Sequence, residues 1–345
     1  MKIACIPQPR LGDAFYVALF LEWLRSRGYL GEAVVLCPPG VAWVYRIFGL
    51  EPRDVNSGLL GKGHGAGVSG ELAFRKELKR LARDHVFLRV TNDVVEAIED
   101  RIGGFAERRG DGLGNFFLRT GGRMRYRMSR WTGYKRGRTP NPLHFIHRLQ
   151  CLAANEFEVV RQAELYAFFG RRSEEALSGI RASDLRGHFV IFPETSKTYK
   201  DLRPEQMRGL ARGLAPFGDL VVVHSGKLDW DLPPDAREVR FADDREAGFR
   251  YVKNARLVVT ADSFPAHFSP YFADETLIVY NQDRPRPSCE GWGVPVDGVA
   301  HFEAGACSAL NEAYEAVPAS PASDAMRATV EALSAERHLQ QEAKT

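Results

Sequence analysis

No two of the five cysteines stand at a paired spacing: Cys5, Cys37, Cys151, Cys289 and Cys307 are scattered along the chain. That disfavours a zinc cluster and fits free thiols in a reducing compartment. No run approaches the roughly 20 consecutive apolar residues that a membrane-spanning helix needs. The apolar run over residues 1–6 meets Pro7 at once and is too short for a signal peptide, so a cytoplasmic protein is expected. The loop after the first apolar run holds Leu11-Gly12-Asp13 and no GxGxxG, which weakens a nicotinamide-linked oxidoreductase reading. Residues 61–67 are dense in glycine but lack the GxxxxGK[ST] order of a P-loop, so they read as a flexible loop. No repeat of solenoid period is visible.

What is present is enough apolar residue for two cores. A chain of 345 residues that is 44% apolar and 26% charged reads as two globular α/β domains. The pattern predicts a strand over 2–6 and a helix over 13–27, with Leu19, Phe20, Trp23 and Leu24 on its apolar face and Gly28 past its end. Further strands are expected over 33–36 and 85–90, and a helix over 142–157. Residues 171–187 are polar without a strong apolar period, which places a domain boundary there and gives domains 1–180 and 181–345. The second half then alternates strand and helix: 188–192, 204–214, 219–224, 245–254 and 257–260. That alternation indicates a parallel sheet of Rossmann type. A last helix over 322–343, with Met326, Val330, Leu333 and Leu339 along one side, is a candidate to pack back on the first domain.

The stretch 255–280 organises the second domain. Two β-branched runs, 257–260 and 276–280, flank a segment that opens with Asp262, Ser263 and Pro265 and carries His267. In a parallel sheet the carboxyl end of a strand is where ligands bind, so this polar cluster is a site candidate. Two readings stand side by side: a ligand site, or an N-cap at Asp262 or Ser263 worth about 1 kcal/mol with His267 in an ordinary polar contact. Asp13 has the same double reading, as a helix cap or as a carboxylate presented for base chemistry. The two are compatible, since a helix N-terminus favours the ionised form a general base requires.

Between residues 112 and 155 there is no Asp or Glu, while Arg119, Arg123, Arg125, Arg127, Arg130, Lys135, Arg136, Arg138 and Arg148 accumulate around Tyr126, Trp131 and Tyr134. Such a surface is either a solvated basic face or a site for an anionic partner such as a phosphorylated lipid or glycan headgroup. The net charge of only +3 argues against a dedicated nucleic-acid binder, and no nucleic acid is expected. Asp229-Trp230-Asp231 spells DxD, but a single DxD is common by chance and lies in a proline-containing stretch. No metal and no other cofactor are expected.

Taken in order, four places resemble glycosyltransferase family 9, the ADP-heptose:lipopolysaccharide heptosyltransferases and their relatives. They are Leu11-Gly12-Asp13; Arg101-Ile102-Gly103-Gly104-Phe105; Pro193-Glu194-Thr195-Ser196 through Lys200 to Arg203-Pro204; and Ala261-Asp262-Ser263 through His267. The resemblance implies the GT-B fold, two Rossmann-like domains facing each other across a cleft, with a nucleotide-sugar donor on the second and an acceptor on the first. It implies Asp13 as general base and Thr195, Ser196 and Lys200 at the donor diphosphate, with Asp262, Ser263, Phe264 and His267 at the donor site. Arg123, Arg125 and Arg127 are the acceptor-side candidates, for an anionic or lipid-linked glycan. A small-molecule acceptor is the other option, and peripheral contact with the inner face of the membrane goes with the first. The expected reaction is metal-independent, inverting transfer of a heptose or related sugar from an ADP-heptose-like donor. The alternatives are a sugar-nucleotide epimerase or hydrolase, or a non-catalytic nucleotide-sugar or nucleic-acid binding protein. One departure stands out: Phe264 occupies a position where the family usually has glycine, so the backbone is expected to approach a phosphate less closely there.

Overall fold

The computed structural model describes residues 2–5, 11–54, 76–77, 79–81, 83–88, 158–195, 198–226, 235–241, 245–281, 299–303 and 323–342. The chain divides into two compact units, Met1–Arg172 and Ser173–Thr345. Each is built on a parallel sheet.

The first unit contains β1 (Lys2–Cys5), α1 (Leu11–Ser26), β2 (Glu32–Cys37), α2 (Pro39–Ile47), β3 (Glu51–Asp54) and β4 (Val86–Leu88), with sheet order β3-β2-β1-β4. Ala4 pairs with Val34 on one side and Phe87 on the other, so β1 is an interior strand. α1 buries more than one face: Ala14 to Leu24 are all buried, Glu22 included. A charge in that setting needs a partner. Glu22 takes Arg172 Nη2 at 2.8 Å and Nε at 2.9 Å, and pairs with Arg25 as well. Gly28, at φ 76°, ends the helix in the left-handed conformation, and Tyr29 N–H turns back to Leu24 O.

The boundary between the units falls within α3 (Gln162–Leu177). The second unit contains β5 (Phe189–Phe192), α4 (Pro204–Leu214), β6 (Leu220–His224), β7 (Ala236–Arg240), α5 (Ala247–Val252), β8 (Leu257–Ala261), α6 (Pro265–Phe268), β9 (Glu275–Tyr280), β10 (Val299–Glu303) and α7 (Asp324–Glu342). The sheet order is β10-β9-β8-β5-β6-β7. Counted from β5, that is 6-5-4-1-2-3, the doubly wound Rossmann order, which reverses direction between β5 and β8.

The interior strands read as continuous apolar runs because both faces of the sheet are covered. On one face Phe189, Ile191, Val222, Leu257, Val259, Leu277 and Val279 pack with Met207, Leu210 and Leu214 of α4 and Met326 and Leu333 of α7. Ile278 and Tyr280, alternating with Leu277 and Val279, pack with Ala266 of α6 and Val299 of β10. The last helix lies along α4: a Cβ on Gly213 would meet Ala328 O at 3.3 Å and Ala332 Cβ at 3.4 Å. Leu339 has no described side chain, whereas Met326 and Leu333 are buried as expected.

Candidate functional site

The carboxyl ends of β5 and β8 lie side by side where the strand order reverses, which is where doubly wound sheets open a crevice for ligands. After β5 the chain passes through Pro193, Glu194 and Thr195 and, beyond it, a short 3₁₀ turn over Thr198–Lys200. After β8 come Asp262 and Ser263. The two segments meet through charge. Lys200 Nζ lies 2.5 Å from Asp262 Oδ2, with the two side chains only 13% and 6% exposed.

His267 stands beside this pair, also buried. Burial pushes its imidazole down to about 4; the Lys200 charge acts in the same sense and Asp262 opposes both. It is therefore neutral at pH 7. Ser263 Oγ is buried with no hydrogen-bond partner among the described residues.

The N-cap reading of Asp262 does not hold. The helix begins at Pro265, Phe264 is the residue ahead of it, and no side chain caps it. α6 is also only four residues long and runs into a 3₁₀ turn over Ser269–Tyr271, so it presents little aligned dipole to an anion. A full helix N-terminus does not form at this point. The fixed positive charge comes from Lys200.

Phe264 is at φ −53° and ψ −43°, ordinary helical backbone that any side chain adopts. Its ring turns onto Phe249, edge-on at 5.9 Å, and onto Phe268 at 4.9 Å. It therefore joins an aromatic cluster with Phe249 and Phe268, which also meet each other at 4.6 Å.

The loop after β5 is held by side chains that sequence reasoning missed. Thr195 N–H donates to Asp201 Oδ1 at 2.6 Å, and Leu202 N–H donates to Pro193 O at 2.8 Å. Gln206 and Asn281, both buried, exchange amide hydrogen bonds of 2.8 Å in each direction. Asn281 Nδ2 also donates to Asp201 O at 2.7 Å, and Gln206 Oε1 accepts from Arg203 N–H at 2.8 Å. The one advance signal was Gln206, standing three residues after Arg203 at the spacing of a capping box.

Further along the same sheet end, Glu194 Oε2 accepts from both the N–H and the Oγ of Ser225 at 2.5 Å. His224 Nδ1 accepts from Gly226 N–H at 3.0 Å, so its Nε2 carries the proton and donates to Glu238 Oε1 at 2.9 Å. Glu238 also takes Arg240 Nε at 3.1 Å.

No protein-family model and no curated protein matches the sequence. Solved structures do. E. coli heptosyltransferase WaaC with ADP is similar at a TM-score of 0.54 and 13% identity, over 88% of this chain and 93% of that one. WaaC with ADP-2-deoxy-2-fluoro heptose gives 0.52 and 13% over 88% and 92%. A glycosyl transferase of family 9 from Veillonella parvula gives 0.53 and 12% over 98% and 97%. The chain has the GT-B fold.

On that fold the expected donor-site residues fall in the second unit: Thr195, Lys200, Asp262, Ser263, Phe264 and His267 gather at the ends of β5 and β8 of the GT-B sheet. Ser196 lies outside the described residues, as do Arg123, Arg125 and Arg127, residues 61–67 and 101–105, the expected helix over 142–157, and Asp229 to Asp231. Asp13 is half-buried inside the first turn of α1, which starts two residues earlier than the pattern predicted. Among the described residues no group of three or more His, Cys, Asp or Glu side chains could hold a metal ion. No described helix is long and apolar enough to cross a membrane.

Proposed function

We propose that this chain is an inverting glycosyltransferase that uses a nucleotide-diphosphate sugar. The observation that carries the reading is the buried Lys200–Asp262 pair beside a neutral His267 at the reversal point of a Rossmann sheet. An ammonium held in a largely dry crevice is a strong attractor for a diphosphate, because the surrounding low dielectric magnifies its field. Lys200 gives one N–H to Asp262 and has two more to offer. Asp262 orients that ammonium and balances its charge.

In the proposed reaction the acceptor hydroxyl oxygen attacks the anomeric carbon. The bond from that carbon to the diphosphate oxygen breaks, and its electron pair leaves with the nucleoside diphosphate. The hydroxyl proton passes to the Asp13 carboxylate in the first turn of α1. Lys200, with Thr195, Ser196 and Ser263, stabilises the departing diphosphate, and His267, being neutral, offers a hydrogen bond and no second charge. This chemistry requires no metal or cofactor. An ADP-heptose-like donor is the first candidate, since the similar fold of WaaC is known with ADP and with an ADP-heptose analogue. The acceptor is an anionic or lipid-linked glycan drawn by Arg123, Arg125 and Arg127, with peripheral membrane contact, or else a small metabolite.

The test is a thermal-shift panel of ADP-, GDP-, UDP- and dTDP-linked sugars on the whole chain, followed by turnover with the tightest. A donor at 100 times its dissociation constant should add about 2.7 kcal/mol of stability. Asp13→Asn should then keep donor affinity and lose roughly 10² to 10⁴ in kcat. If no nucleotide sugar shifts the melting curve, or if Asp13→Asn turns over at the wild-type rate, the proposal fails in its donor or its base respectively.

A further inference from the structure

A site for an anion would not ordinarily spend a backbone N–H on one of its own carboxylates, yet the loop after β5 does. Thr195 N–H, at the mouth of the crevice, is given to Asp201 Oδ1 at 2.6 Å. Asp201 is itself fastened at both ends of its main chain, its N–H to Thr198 O at 3.1 Å and its C=O to Asn281 Nδ2 at 2.7 Å. Asn281 follows directly on β9 and is 2% exposed; Gln206, its amide partner, is 3% exposed and also takes Arg203 N–H at the start of α4. Thr195 and Asp201 are thus clasped together, with Asp201 held by Asn281 at the end of β9 and Asn281 held by Gln206 of α4.

We propose that Asp201 is a positioning residue, and that the Asn281–Gln206 amide pair is the clasp that seats it. A carboxylate accepting a backbone N–H makes a charge-assisted bond of well-defined direction. Through that bond Asp201 sets where the Thr195 hydroxyl stands relative to the Lys200 ammonium, so the two are presented at fixed spacing to the diphosphate of a donor. The gain is preorganisation: Thr195 and Lys200 do not have to be brought into place when the ligand arrives. The inference rests on the donor-site reading above and adds residues outside the motif that suggested it.

The sign of the effect separates positioning from electrostatics. Removing a negative charge near an anion site should tighten anion binding, whatever replaces it. Removing a geometric anchor should weaken it. The experiment titrates wild type, Asp201→Ala and Asp201→Asn by calorimetry with whichever of ADP, GDP, UDP and dTDP binds the wild type tightest, and follows amide exchange at Thr195 by NMR. Asp201→Ala should weaken binding about tenfold or more and speed exchange at Thr195, in keeping with the cost of small misplacements in a preformed site. Asp201→Asn keeps the accepting oxygen and should stay within about threefold of wild type. If Asp201→Ala does not fold, Asp201→Glu, which keeps the charge but moves the acceptor by one methylene, should weaken binding instead. Binding by Asp201→Ala or Asp201→Glu as tight as wild type overturns the proposal, and so does an Asp201→Asn as weak as Asp201→Ala. Failure of the wild type to bind any of the four diphosphates overturns the donor-site reading and the positioning role with it.

Discussion

His267 should give the second unit a pH-dependent stability that one substitution removes. In the unfolded chain the imidazole titrates near 6.5, whereas burial lowers it to about 4 in the folded protein, with Lys200 adding to the shift and Asp262 opposing it. Between those values the unfolded chain holds a proton that the folded chain refuses, so stability is full above about pH 6.5 and falls as pH drops toward 4. The cost is about 0.2 kcal/mol at pH 7 and about 2 kcal/mol at pH 5, approaching roughly 3 kcal/mol below pH 4. His188 acts in the same direction, being buried with its Nε2–H on Tyr251 O at 2.7 Å, but it is common to wild type and variant. The assay is urea unfolding at half-unit steps from pH 7.5 to 4.5, wild type against His267→Asn. The variant is expected to be less stable at pH 7 for loss of packing, with a shallower profile, so that the two converge by about 2 kcal/mol between pH 7 and 5. At 2 to 4 °C per kcal/mol for a unit of this size, that is a relative shift of about 4 to 8 °C in melting temperature. Parallel profiles would show that His267 is not held neutral by its surroundings, and the single-ammonium picture of the donor site would go with it.

Lys200→Met strands the Asp262 carboxylate, 6% exposed, without its ammonium and should cost about 3 to 5 kcal/mol of stability. Lys200→Met combined with Asp262→Leu should recover most of that while donor affinity stays lost, which a melting series and a titration read separately; an unshifted melting temperature for the single variant would contradict the pair. At the crossing of α4 and α7, Gly213→Ala should be close to neutral. Its Cβ sits at the margin of contact with Ala328 O and Ala332, and the better helix propensity of alanine offsets the squeeze. Gly213→Val should destabilise by about 1 to 3 kcal/mol, and a melting temperature equal to wild type would mean the helices do not cross there.

Much of the second unit was legible in the chain alone because its interior strands are buried on both faces: the runs over 189–192, 220–224 and 257–261 can be little else. The edge strands were not. β7 reads Ala236-Arg237-Glu238-Val239-Arg240 and is largely exposed, while β3 reads Glu51-Pro52-Arg53-Asp54, with a proline that only an edge tolerates. α3, polar enough to be read in part as a boundary, is a helix whose Leu165 and Phe169 are buried in the first unit. Asp262 stood out in the sequence as a carboxylate closing a β-branched run. Lys200 was singled out by the family resemblance alone, and its pairing with Asp262 was not foreseen: a lysine in a polar loop 62 residues away declares no contact, and only the adjacency of β5 and β8 brings it to 2.5 Å. Asp201 and Asn281 were wholly hidden, and Gln206 showed only as a capping-box spacing, since polar residues in loops and helix starts are commonplace until the fold buries them against one another.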